Sequence, residues 1–281
     1  MGKIKAATPV LKWVGGKRQL LKKIKEYVPE FTTYYEPFVG GGALLFDLQP
    51  QKAIVNDLNS ELINVYQVIK ENSEGLITEL SNEKKYANNS KCFYKIRELD
   101  RKPRKFQSLT PVEKAARVIY LNKTCFNGLY RVNSLGEFNS PFGNYPKPNI
   151  VNKEVIEAVS KYFNQAEITF LNGDFEETIK GIKADSFVYL DPPYEPISRT
   201  SNFTGYNENG FGREEQIRLK KMCDRLNKRQ VKFLQSNSDC EFIRKLYDGY
   251  EIIPIKARRS VSCVASTRCE IGEVLIRNYT N

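Results

Sequence analysis

The sequence predicts an α/β doubly wound sheet interrupted by an inserted, mostly helical domain that contains a hairpin. Three observations carry this. Short apolar stretches alternate with helical periodicities near both ends of the chain. Each of the first four stretches ends in a polar or acidic cluster. Between residues 61 and 164 the pattern gives way to polar, basic helices and then to a segment rich in Gly, Asn and Pro.

Taken in order, residues 17–28 (KRQLLKKIKEYV) place Leu20, Leu21, Ile24 and Val28 at helical spacing, so a helix with a basic face is expected. Residues 33–39 (TYYEPFV) read as a strand that stops at Gly40-Gly41-Gly42, and 43–48 as the helix that follows. Residues 53–55 form a short strand ending at Asn56-Asp57. A helix then runs from Asn59 to Lys70, capped by Asn59 or Ser60. Residues 74–125 read as helices broken up by Pro103 and Pro111. In 126–150 the dipeptide Asn127-Gly128 is the usual two-residue hairpin turn. Strands return at 168–171, 186–190, 231–234, 251–255 and 273–277. One α/β domain over 1–60 and 165–281 is therefore expected, with 61–164 inserted as a second domain of roughly 100 residues, a common size.

Composition narrows the chemistry. The 281 residues are 41% hydrophobic and 12% aromatic, which is a folded chain and not a disordered one. There is no His, which excludes a Ser-His-Asp triad, a His general base and His-ligated zinc. The six Cys form no CxxC pair, so no metal is expected and scattered reduced thiols in a cytoplasmic protein is the simplest reading. No stretch of 18 apolar residues exists to span a membrane. The net charge of +11 is uneven: residues 1–30 carry +6, 91–131 carry +8 and 256–268 carry +4, leaving −7 for the remainder. Basic charge gathered in three stretches suits a polyanionic partner, although solvated faces fit charge alone.

Four strand ends carry Glu36-Pro37-Phe38, Asn56-Asp57, Asn172-Gly173-Asp174 and Asp191-Pro192-Pro193-Tyr194. Ligands of open α/β sheets bind at such ends, whereas a single Asp there is as readily a helix cap. Gly15-Gly16-Lys17-Arg18 is not a phosphate-binding P-loop, because Leu11 and Arg18 stand where Gly and Ser or Thr are required. Gly40-Gly41-Gly42 lacks the third glycine of the dinucleotide fingerprint, Leu45 standing in its place. A close approach to backbone, followed by Asp57 as a ribose acceptor, points to a nucleoside without pyrophosphate, hence S-adenosylmethionine. Asp191 and the rigid carbonyl of Pro192 suit an exocyclic amine: accepting both of its N–H bonds localises the nitrogen lone pair. Tyr194 offers a face on which a base taken out of the duplex can stack.

With these motifs assembled, the sequence resembles the DNA adenine-N6 methyltransferases of the Dam type, alpha class. The resemblance rests on Lys12–Lys17 (KWVGGK), Glu36–Gly42 (EPFVGGG), Asn56–Asn59 (NDLN), Phe126–Asn133 (FNGLYRVN), Phe138–Gly143 (FNSPFG) and Asp191–Tyr194 (DPPY), in that family's order over nearly the whole chain. It implies a Rossmann-like methyltransferase sheet with an inserted target-recognition domain. The implied cofactor contacts are Trp13, Lys17, Phe38, Gly40, Asp57, Asp174, Phe175 and Asp191. The implied methyl-transfer residues are Asp191, Pro192 and Tyr194. Arg131 is similar to the family's guanine reader, and Lys12, Leu129 and Pro141 to other base-contacting positions. Phe126 or Asn127 stands where a side chain enters the base stack. Without the resemblance, Trp13 fits an ordinary core aromatic, and Lys12 and Arg131 fit solvated charges. The implied partner is double-stranded DNA, methylated within GATC or within a longer site containing GAT, and a monomer with no obligate protein partner is expected. Cytosine N4 or RNA as the substrate, and a DNA-binding protein without catalysis, are the rival readings. The Dam-like insert argues against the first and the intact DPPY against the second.

Overall fold

The computed structural model describes residues 2–15, 17, 19–196, 211–258 and 270–280, with the backbone alone at 256–258 and 270–271. The basic stretch 256–268 thus lies almost wholly outside the described residues. In chain order the elements are α1 (Leu21–Lys25), β1 (Thr33–Glu36), α2 (Ala43–Leu48), β2 (Lys52–Asp57), α3 (Ser60–Leu80), α4 (Ser90–Arg97), α5 (Pro103–Gln107) and α6 (Pro111–Thr124). There follow α7 (Lys153–Gln165), β3 (Glu167–Asn172), β4 (Ser186–Leu190), α8 (Arg213–Lys228), β5 (Lys232–Ser238), α9 (Glu241–Leu246), β6 (Glu251–Arg258) and β7 (Glu270–Arg277). The strands form one sheet in the order β3-β2-β1-β4-β5-β7-β6. β1 pairs in parallel with β2 and β4, and β4 with β5, while β7 runs antiparallel between β5 and β6. Strand order reverses between β1 and β4, the position at which doubly wound sheets take their ligands. Among the described residues no helix is long and apolar enough to cross a membrane.

Each strand read from the sequence is present; the helices need correction. The basic helix expected over 17–28 shrinks to Leu21–Lys25, because Lys17 turns inward and is buried while Pro29 bars continuation. α3 runs ten residues beyond Lys70 because Leu76 and Leu80 continue its apolar face. It bends at Asn72 (φ −149°, ψ 58°), whose side-chain oxygen accepts from the Gly75 N–H. Pro103 and Pro111 do divide the stretch 74–125, each by opening a new helix, α5 and α6, since a first-turn proline lacks only an N–H the helix would leave unpaired. Thr110 and Glu113 close a capping box around α6.

The chain divides into two compact units. The first comprises residues 1–16, 39–51 and 56–174; the second comprises 17–38, 52–55 and 175–281. In the second, β4 is buried at every position, and Tyr35, Val188, Leu190, Phe233, Val274 and Ile276 join Leu219, Met222 and Leu226 of α8 in one apolar core. In the first, α3 packs on α6 and α7, with the rings of Phe46, Tyr66, Phe163 and Phe170 forming one cluster around Tyr66 and Phe163.

Not all of the basic run 91–131 faces water. Arg117 is 1% exposed. Its guanidinium donates to Glu61 Oε1 (2.9 Å), Asp100 Oδ2 (2.5 Å) and the carbonyls of Ile96 (3.2 Å) and Arg97 (3.1 Å). Such a pair is costly to break because the surviving charges stay buried. Arg117→Ala is expected to lower the free energy of unfolding by about 3–5 kcal/mol in urea titrations. A loss under about 1 kcal/mol would mean that Glu61 and Asp100 rehydrate freely.

Candidate functional site

In the second unit, four buried apolar residues of β4, Phe187 to Leu190, run straight into Asp191. Asp191 Oδ1 accepts from Ser236 Oγ at 2.9 Å and faces Lys17 Nζ at 2.9 Å. Oδ2 has no hydrogen-bond partner among the described residues. The Lys17 ammonium also lies 4.5 Å from the centre of the Tyr194 ring. The Tyr194 hydroxyl donates to Glu273 Oε2 at 2.9 Å. Burial, with the Asp191 and Glu273 charges adding to it, holds the Tyr194 phenol well above its usual range. Burial likewise raises the Glu273 carboxyl, against the opposing pull of Lys17 and the Tyr194 hydroxyl.

Two consecutive prolines remove two N–H groups from this loop, so its hold comes largely through carbonyls and side chains, together with the Glu195 N–H, which donates to Asn237 Oδ1 at 3.3 Å. Gln216 of α8 donates to the Pro193 carbonyl at 2.9 Å and accepts from Asn237 at 3.1 Å. Ser238 Oγ donates to the Glu195 carbonyl at 2.7 Å. Ser236, Asn237 and Ser238 are all buried in β5. This strand, expected to end at Leu234, continues to Ser238 because its polar side chains are satisfied by the loop after β4. In the same unit Phe38 and Phe175 meet at 5.3 Å. Phe175 is 5% exposed, with the Arg218 guanidinium 4.3 Å from its ring centre.

The first unit holds the glycine loop. Gly40 and Gly42 have φ of 47° and 67°, a region that suits glycine. Asp57 Oδ2 accepts from the Gly40 N–H (3.0 Å) and Oδ1 from the Asn59 N–H (2.9 Å), while Tyr66 donates to the Gly40 carbonyl (2.7 Å). Burial raises the Asp57 carboxyl above its ordinary value, and the two N–H bonds oppose this. A carboxylate has about four acceptor positions, so Asp57 keeps capacity for a ligand. A Cβ added at Gly40 would lie 3.0 Å from Trp13 Cδ1, and one at Gly41 3.1 Å from Trp13 Cβ. Bare backbone is thus what lets the indole sit on the loop. Asn172 donates to the Asp57 carbonyl (2.8 Å) and Asn56 to the Gly173 carbonyl (3.0 Å), which ties the ends of β2 and β3 together; Asp174 follows, exposed.

The same unit gathers five of the six other singled-out residues on one ribbon, with Lys12 held beside it through Asn122. Phe126 N donates to the Pro141 carbonyl (2.8 Å), and Cys125 bridges Phe142 antiparallel. Asn122 holds the Lys12 backbone by its N–H (2.9 Å) and its carbonyl (2.8 Å), and also holds the Gly128 carbonyl (3.0 Å). Phe126 is 54% exposed; Lys12, Arg131 and Pro141 are exposed, and Asn127 and Leu129 half-buried. The hairpin is not where Asn127-Gly128 suggested. Both residues do take positive φ (58° and 63°) in a tight turn. The reversal between paired segments comes later, where Val132 bridges Phe138 and Asn133 caps the bend through Leu135 and Glu137. Arg131 therefore sits in an arm of the ribbon, its Nε donating to Asn139 Oδ1 at 2.8 Å.

Sequence reasoning missed Ser236, Gln216 and Glu273 around Asp191, and Glu61 and Arg117 beneath the ribbon. Only the first had a signal: four consecutive polar residues, Gln235–Ser238, after an apolar strand run.

A doubly wound sheet that delivers Asp-Pro-Pro-Tyr from a central strand beside its switch point is the framework of an amino methyltransferase. The chain belongs to the D12 class of N6 adenine-specific DNA methyltransferases, whose pattern it matches over residues 13–261. It is 46% identical to the Type II methyltransferase M1.LlaDCHI of Lactococcus lactis subsp. cremoris, over 97% of this chain and 96% of the relative. It is 41% identical to the Type II methyltransferase M.MjaIII of Methanocaldococcus jannaschii (96% and 99%), and 34% identical to the DNA adenine methylase of Escherichia coli strain K12 (94% and 93%). It is an adenine-specific DNA methyltransferase, and methyltransferases of this family take their methyl group from S-adenosylmethionine.

Ser236→Ala removes a hydrogen bond that orients Asp191. The turnover number is expected to fall roughly ten-fold, equivalent to about 1.4 kcal/mol, with duplex affinity unchanged. An unaltered turnover number would show that Lys17 alone orients the carboxylate.

Proposed function

We propose that this enzyme binds S-adenosylmethionine itself and methylates the adenine of GATC after flipping that base out of the duplex. The observation that carries the chemistry is Asp191, with one oxygen held by Ser236 and Lys17 and the other left to accept. In this reading residues 1–60 and 165–281 form the cofactor-binding catalytic domain and 61–164 the target-recognition domain. The GATC assignment rests on the resemblance of 126–133 and 138–143 to Dam-type enzymes, and a longer site containing GAT is the reading it competes with.

The residues present fit the cofactor. Trp13, Gly40 and Asp57 offer a flat ring, bare backbone and an acceptor for ribose hydroxyls, and Lys17, Phe38, Asp174 and Phe175 are the further contacts proposed. When bound, the cofactor supplies a methyl group on a sulfonium, which is already a good leaving group. The protein's task is then positioning and hydrogen bonding. Asp191 and the Pro192 carbonyl accept the two N–H bonds of N6, localising its lone pair, and Tyr194 holds the base by stacking. The proton leaves N6 after the methyl group arrives, so Asp191 need not act as a strong base. On the ribbon, Arg131 reads guanine O6 and N7 through its planar fork, Lys12, Leu129 and Pro141 contact neighbouring bases, and Phe126 or Asn127 fills the vacated stack.

Asp191→Ala is expected to abolish methylation while duplex binding persists; full activity would falsify the mechanism. Arg131→Ala should cost roughly 1–3 kcal/mol at one guanine and relax discrimination there, and Lys at 131 should not restore it. Methylation rates on the cognate duplex and on each single-base variant decide: an equal slowing on all of them makes Arg131 a phosphate contact. Expression in a methylation-free host, followed by sequencing for modified adenine, tests GATC against a longer site.

A further inference from the structure

One side chain of the first unit touches both features that the proposed function assigns to separate ligands. The Tyr130 ring stacks on Trp13, centroids 4.8 Å apart and planes 22° from parallel. Trp13 in turn lies on Gly40 and Gly41, so tightly that a Cβ at either would crowd it. Tyr130 also precedes Arg131 directly on the ribbon, and its ring meets Phe138 of the opposite arm at 5.5 Å.

Tyr130 is held from beneath as well. Its hydroxyl donates to Glu61 Oε2 at 2.6 Å, while Glu61 Oε1 accepts from Arg117 at 2.9 Å. Arg117 reaches Asp100, whose Oδ2 accepts from the Phe138 N–H at 2.8 Å. Both arms of the ribbon therefore rest on one buried ion cluster, and Tyr130 is the member that carries contact onward to the indole. Burial and the Glu61 charge raise the Tyr130 phenol well above its usual range, so the hydroxyl remains a donor.

We propose that Tyr130 is a positioning residue that couples duplex engagement by the ribbon to the cofactor loop, through its hydrogen bond to Glu61 and its stack on Trp13. The proposal rests on the reading above, in which the loop takes the cofactor and the ribbon takes DNA. A duplex that fixes Arg131 also fixes its neighbour Tyr130, which then keeps Trp13 flat against Gly40 and Gly41. Linkage makes the effect reciprocal: duplex and cofactor tighten one another by the same factor.

Tyr130→Phe tests this, because it keeps the ring and removes only the hydroxyl. The probes are S-adenosylhomocysteine, which has no methyl group to transfer, and a short duplex carrying the sequence the enzyme methylates. In the wild type the duplex should tighten S-adenosylhomocysteine on the order of five-fold or more, within the usual range of coupling between sites. In Tyr130→Phe that factor should fall to within about two-fold of unity, with KM for S-adenosylmethionine raised and kcat at saturation little changed. A purely structural tyrosine would lower stability and leave the coupling factor intact, which overturns the proposal.

Trp13 is the chain's only tryptophan, so its emission gives a second readout that needs no catalysis. Adding duplex alone should shift that emission in the wild type and not in Tyr130→Phe. Equal emission before and after duplex in the wild type overturns the proposal. Wild-type protein that binds both probes without mutual tightening overturns the coupling alone. Failure to bind either probe overturns the functional reading itself, and the coupling with it.

Discussion

The carboxylate of Asp191 can point in one direction only because β5 does not end where its apolar residues do. Ser236 supplies a donor from the adjacent strand, and Lys17 a cation on the same oxygen. Parallel pairing of β4 with β5, with Leu190 opposite Gln235, sets the register that brings Ser236 level with Asp191. Gln216, Asn237 and Ser238 then fasten the residues that follow. A loop with consecutive prolines, unable to join a ladder at those positions, is thereby fastened by side chains of β5 and α8. Geometry of this kind suits a reaction whose leaving group needs no help, because positioning is most of what the protein has to supply.

The first unit solves a different problem with the same economy of contacts. A ribbon with few backbone pairs of its own would be marginal in water. Here it is tied down through Asp100, which accepts from the Phe138 N–H and is itself held by Arg117, and through Arg101, which donates to the Phe138 carbonyl. One basic residue of a run that looks like a DNA-facing surface is thus spent inside the protein, where it organises the residues that do face outward.

How much of this was legible depends on the range of the interaction. Strands β1 to β7 announce themselves by local apolar runs, and the strand-end clusters follow from them, because both are properties of neighbours in sequence. Helix limits were less legible. Pro111 opens α6 since Thr110 and Glu113 cap it, and α3 survives its bend because Leu76 and Leu80 resume the buried face. Asn127-Gly128 signals a turn, and a turn is there, but it is not the hairpin's reversal. Which segments pair is decided by Cys125 with Phe142 and Val132 with Phe138, contacts no dipeptide encodes. Asp191 and Tyr194 were visible from chemistry alone. Glu273 and Ser236 were not, since they lie 79 and 45 positions from the residues they touch.

The buried polar end of β5 also shapes how this protein can change. Gln235, Ser236, Asn237 and Ser238 occupy positions where an apolar residue would ordinarily add to the core, and Gln235 carries a buried side-chain nitrogen without a hydrogen-bond partner among the described residues. A search for thermostable variants would therefore be drawn to this stretch, and gains at Ser236, Asn237 or Ser238 would come at the expense of the loop that these three side chains orient. The strand is a reserve of stability that the fold leaves unclaimed, and heat tolerance in this enzyme has to be sought elsewhere, on surfaces remote from β4 and β5.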